Sequence, residues 1–67
     1  MEIIVLHDRY SSEPIIVRPD AINMIRKFKD EGEVYTNIVV EGFTLDVKEA
    51  IGDVMVKIKK VESEVHE

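Results

Sequence analysis

The sequence predicts a small α+β domain: an antiparallel β-meander of four to five short strands with one C-terminal α-helix packed on the sheet. Three observations carry this expectation. Short runs of β-branched and apolar residues, separated by turn residues, fill the first two thirds of the chain. Two of those runs flank Glu41-Gly42, a dipeptide suited to a tight hairpin turn because Gly accepts positive φ. The last third places apolar residues at steps of three and four, the helical period. The chain reads as a single domain, 1–67, with the sheet over 2–47 and the helix over 47–64.

Glu2 to His7 is the first expected strand. Ile3, Ile4, Val5 and Leu6 are apolar on both faces, as in a strand interior to a sheet. Asp8 to Glu13 is polar and precedes Pro14, which marks a loop. Ile15 to Arg18 is a second strand that Pro14 can open but could not occupy centrally, and the two form a hairpin. Pro19 to Gly32 supports two readings. As a helix, Asp20 caps it, Ala21, Ile22, Ile25 and Phe28 share a face, and Gly32 ends it. As a strand, Ile22, Met24 and Phe28 alternate against Asn23, Ile25 and Lys27, imperfectly. Pattern alone favours the helix.

The hairpin of Val34 to Val40 and Phe43 to Val47 has a definite expected register. A two-residue loop pairs Val40 with Phe43, Val39 with Thr44, Ile38 with Leu45, Asn37 with Asp46 and Thr36 with Val47. One face then holds Thr36, Ile38, Val40, Phe43, Leu45 and Val47, and the other Asn37, Val39, Thr44 and Asp46, as one dry and one wet face require. Asp46-Val47-Lys48-Glu49 has the form of a capping box opening the helix. Gly52 costs about 1 kcal/mol relative to Ala inside a helix, for which close approach to the sheet is the expected reason. Lys57, Lys59 and Lys60 suit the second half of the helix dipole, whereas Glu62, Glu64 and Glu67 oppose it, so the last turn is expected to fray.

Composition narrows function by exclusion. The chain has 67 residues, 14 acids against nine bases, a formal charge of −5, no Cys and no Trp. A domain of this size buries only about 60% of its extended-chain surface, so its folding margin is thin. Disulfides are impossible, and His7 and His66 alone supply no metal site, so neither a metal nor any other cofactor is expected. Self-association or a protein partner is the remaining source of support. No run approaches the ~20 apolar residues of a membrane span, no signal-peptide pattern opens the chain, and the absence of Cys fits a reducing cytoplasm, so a cytoplasmic protein is expected.

Three stretches together resemble a known family. They are Ile16-Val17-Arg18-Pro19-Asp20-Ala21-Ile22-Asn23-Met24-Ile25, Thr36-Asn37-Ile38-Val39-Val40-Glu41-Gly42, and Val47-Lys48-Glu49-Ala50-Ile51-Gly52-Asp53-Val54. The chain resembles the small FlbD/SwrD-type bacterial proteins linked to flagellar motility, with prophage-borne relatives, over about residues 3–58. It departs from that pattern in a longer first loop around Ser11-Ser12 and in Ala50, where the family prefers Ser. The resemblance implies an extended strand over Ile22 to Phe28, no catalytic residues, and a role in motility or phage-encoded machinery.

The most informative functional candidate is the helix stripe. Val47, Ile51, Val54, Ile58, Val61 and Val65 follow a heptad, with Lys57 and Glu62 on its flanks. A 47–65 helix spans about 27 Å and a strand of five or six residues about 17–20 Å, so the distal valines should overhang the sheet. Val54, Ile58, Val61, Val65, Lys57 and Glu62 are therefore the candidate protein interface of a homo-oligomer, in which Lys57 could meet a partner copy's Glu62 in a parallel pair. The basic clusters Arg26-Lys27-Phe28-Lys29 and Lys57-Ile58-Lys59-Lys60 allow an alternative nucleic-acid role, against which stands the acidic balance; they read as solvated edge and helix face. His7 beside Asp8 offers no catalytic pair, because adjacent strand residues point to opposite faces. Tyr10 and Tyr35 read as half-buried sheet residues. A non-enzymatic interaction module, binding through a sheet edge or the distal helix, is the expected function.

Overall fold

The computed structural model describes residues 2–65, with side chains through residue 63. Five strands and one helix follow in order: β1 (Ile4–His7), β2 (Pro14–Val17), a 3₁₀ turn at Pro19–Ala21, β3 (Ile22–Asp30), β4 (Glu33–Val40), β5 (Phe43–Val47) and α1 (Ile51–Val65). This is the α+β class that the patterning predicts. The strands form two antiparallel sheets, a β1-β2 hairpin and a β3-β4-β5 meander. They join at one point, where Asp8 bridges Val47 and the amides of Arg9 and Lys48 donate to the carbonyls of Asp46 and His7 (2.8 Å each).

The β4-β5 register is the one expected, from Val40 opposite Phe43 to Thr36 opposite Val47. Glu41 and Gly42 both take positive φ, 49° and 88°, the backbone of a two-residue turn whose twist matches the flanking strands. A second Glu-Gly turn, Glu31 (51°) and Gly32 (85°), closes β3 onto β4 in the same way. Gly32 thus turns a hairpin and ends no helix. The segment from Ile22 is a nine-residue strand, with Pro19–Ala21 contributing only a single 3₁₀ turn. The helical reading fails because β4 offers a complete ladder from Asp30–Glu33 back to Ile22–Val40, interrupted once between Ile22 and Met24.

The core is small. Ile4 and Leu6 of β1, Val17 of β2, Ile38 of β4, Val47 of β5 and Val54 of α1 are its fully buried apolar side chains. Ile15, Ile22, Ile25, Val40, Leu45, Ile58 and Val61 pack around them. The dry face of the hairpin is dry only toward its β5 end: Phe43, next to the turn, is 74% exposed. On the opposite face Asn37 is buried, because Arg26 Nη2 donates to its Oδ1 (2.9 Å) while its Nδ2 donates to Asp46 Oδ1 (2.8 Å). Arg26, Asn37 and Asp46 are register neighbours, so this polar rung crosses all three strands.

The helix begins four residues later than the 47–64 expected. Val47 ends β5, and the first helical hydrogen bond runs from the Val54 amide to the Ala50 carbonyl (3.0 Å). The predicted capping box does not form, because both of its acids have tertiary partners. Asp46 sits within β5 in the polar rung, and Glu49 turns away to His7. Gly52 faces open space, with nothing within 4 Å of a Cβ built there, so close approach to the sheet is not its reason.

Candidate interaction surface

The junction between the sheets is held by two polar constellations. At one, Glu49 receives the His7 backbone amide on Oε1 (2.9 Å) and faces His7 Nδ1 with Oε2 (2.6 Å). Thr36, fully buried, donates its hydroxyl to the Glu49 carbonyl (2.6 Å). Partial burial works against the Glu49 charge, but the hydrogen bonds from the His7 side chain and backbone outweigh it and hold the carboxyl below its ordinary value. The partner of His7 is therefore Glu49, 42 residues away, and not Asp8. Asp8 instead organises the first loop, its Oδ2 accepting from the amides of Tyr10 and Ser11 (2.9 Å each). Those amides, Ser11 first, hold its carboxyl low.

At the second, Arg9 reaches from the first loop to the β3-β4 turn. Its guanidinium lies 3.8 Å from the Tyr35 ring centre and 4.9 Å from that of Tyr10. Nη2 donates to Glu33 (3.0 Å) and more distantly to Asp30 (3.4 Å). Those acids, led by Glu33, keep the guanidinium charged. Tyr35 is half-buried within β4 and meets Phe28 edge-on at 5.7 Å. Tyr10, expected in a sheet, lies exposed in the loop, because the turn that Asp8 nucleates lifts it out of β1. Arg9 Nε is buried without a hydrogen-bond partner among the described residues, whereas the other groups pair with one another and act as clamps. Neither constellation sets a nucleophile beside its base, and among the described residues no group of three or more His, Asp or Glu could hold a metal.

The predicted helix seam is used inside the chain. Val54 is 0% exposed at the centre of the core, and Ile58 and Val61 pack against that core. The expectation that these three face a partner is corrected for Val54 outright and for the packed sides of Ile58 and Val61. The later helix start shortens the rod to about 22 Å for its 15 residues. It is also covered from two sheets, so Val61 does not overhang. The Val65 side chain lies outside the described residues. Lys57 is half-buried and Glu62 exposed, about 140° apart around the helix, so they do not share one face.

What remains open to a partner is elsewhere. Val5 and Ile16, directly opposed across the β1-β2 ladder, point away from the core together with Ile3, and all three are exposed. Beside them, between β1 and α1, runs a groove of about 290 Å³ lined by Ile3, Ile4, Val5, Lys57, Lys60 and Val61. Lys57 and Val61 are the predicted interface residues that the fold brings together there. Ile3, Val5 and Ile16 lie outside the predicted interface. Their signal was present: a strand apolar on both faces, in a chain too short to cover both.

The basic cluster at 26–29 is divided by strand alternation. Arg26 is engaged by Asn37 and by the Phe28 ring (5.0 Å), while Lys27 and Lys29 fall on the other face of β3. No described helix is long and apolar enough to cross a membrane. No family model, curated protein or solved structure matches this chain.

Proposed function

We propose that the chain is a non-enzymatic interaction module whose working form is self-associated. One observation carries the reading. Among the described residues, the exposed Ile3, Val5 and Ile16 lie together on one face of the β1-β2 hairpin, a contiguous apolar patch of the kind that marks an interaction surface. Association supplies the burial that a chain of 67 residues without disulfides lacks.

Sedimentation equilibrium and urea unfolding, from micromolar to millimolar protein, test this. Self-association raises the unfolding midpoint with concentration. A single species of monomer mass throughout, with a constant midpoint, overturns it. A nucleic-acid role has weaker support, since Arg26 is occupied within the sheet. Salt-sensitive binding of a single-stranded oligonucleotide would bring that role forward. The cytoplasmic setting, and a link to flagellar motility or phage-encoded machinery, rest on the Cys-free composition and on the quoted motifs. Loss of swimming on deletion of the gene, restored by the intact chain, would support the motility link.

A further inference from the structure

We propose that the chain pairs with a second copy of itself along the open edge of β1, joining two β1-β2 hairpins into one four-stranded antiparallel sheet. This rests on the self-association reading above and gives it a site.

Backbone direction shows where the edge is open. The Asp8 amide donates inward to Glu13, whereas the His7 amide and carbonyl point outward, to Glu49 and to Lys48. Strand alternation gives Val5 and Ile3 the outward direction of His7. Val5 sits opposite Ile16 in a position that exchanges no ladder hydrogen bonds, so its N–H and C=O have no partner among the described residues. Exposed edges are normally blunted by Pro, charge or a bulge. β2 opens on Pro14 and is followed by Arg18-Pro19, β3 carries an irregularity at Ile22/Met24 and then Arg26, Lys27 and Lys29, and the outward Asp46 carbonyl of β5 is taken by the Arg9 amide. The run Ile3–Leu6 carries no Pro, charge or bulge, and α1 stands beside it across the groove.

The register follows from the same alternation. His7 is already engaged, so antiparallel pairing of two copies must use Ile3 and Val5. The symmetric solution sets Ile3 opposite the second copy's Val5 and places the two Ile4 residues on the two-fold axis. Glu2 of each copy then lies opposite Leu6 of the other, on the side facing the helix. There the groove of the second copy presents Lys57 and Lys60, so an acidic side chain enters a site edged by two cations. On the outer face, the exposed Ile3, Val5 and Ile16 of both copies merge into one apolar surface.

Val5→Pro removes an outward N–H that the single copy does not use, and Ile16→Pro does the same on the edge of β2. Sedimentation equilibrium on the full chain should show the Val5→Pro dissociation constant raised by about tenfold or more, from two hydrogen bonds lost per dimer, with Ile16→Pro near wild type. Circular dichroism checks that both fold. Lys57→Glu with Lys60→Glu should weaken the dimer, and adding Glu2→Lys should restore it, a rescue that a folding defect would not give. A wild-type dimer that survives Val5→Pro, or charge reversals without rescue, overturns the β1 edge while leaving self-association standing. A monomeric wild type overturns both.

Discussion

Replacing Gly52 with Ala should stabilise this protein. Gly52 is the second residue of α1 and is exposed, and a Cβ built on it meets nothing within 4 Å. No positive φ is required of it, unlike Gly32 and Gly42. The substitution therefore removes only the excess backbone entropy of glycine in the unfolded chain. The full helix-interior value is about 0.8–1.0 kcal/mol, and a first-turn position should realise about 0.5–1 kcal/mol. With a urea m-value of roughly 1 kcal/mol/M for so small a chain, the midpoint should rise by about 0.5–1 M at unchanged m. The thermal midpoint should rise by about 2–8 °C. Urea melts followed by far-UV circular dichroism, at one fixed concentration for both proteins, give the answer. A midpoint that is unchanged or lowered would refute the placement of Gly52 toward open space and return the expectation of a close backbone approach.

Three further outcomes follow from the geometry. Gly42→Ala should do the opposite of Gly52→Ala, costing about 1–2 kcal/mol, because φ of +88° strains any Cβ; the same melts read it. Thr36→Val keeps the shape of a fully buried side chain but leaves the Glu49 carbonyl without its donor, so it should cost about 1–2 kcal/mol in a urea midpoint. The Glu49 carboxyl is held below its unfolded value, so the unfolded chain binds more protons there as pH falls through the unfolded value near 4.3. Stability linked to Glu49 is present above that pH and is lost below it. Glu49→Gln should lower stability at pH 7 and flatten its decline between about pH 5 and pH 3, as measured by urea midpoints across that range.

Local sequence suffices for whatever depends on neighbours along the chain. Glu41-Gly42 set a two-residue turn, the turn set the register, and the period-two pattern set which side of β4 and β5 faces the core, because each is a local constraint on backbone twist. The stripe from Ile51 to Val61 likewise marked the face of α1 that is buried. Tertiary structure alone decided the remainder. Residues 22–30 became a strand because β4 lay ready to complete their ladder. Asp46 and Glu49 left the capping box because Asn37 and His7 offered better-placed partners, and no local rule encodes a contact across 42 residues. The heptad became core and not seam because the β1-β2 hairpin and the meander both pack against the helix. The same division left the outer face of β1 bare, since a hairpin standing apart from the meander has no further layer to lie against.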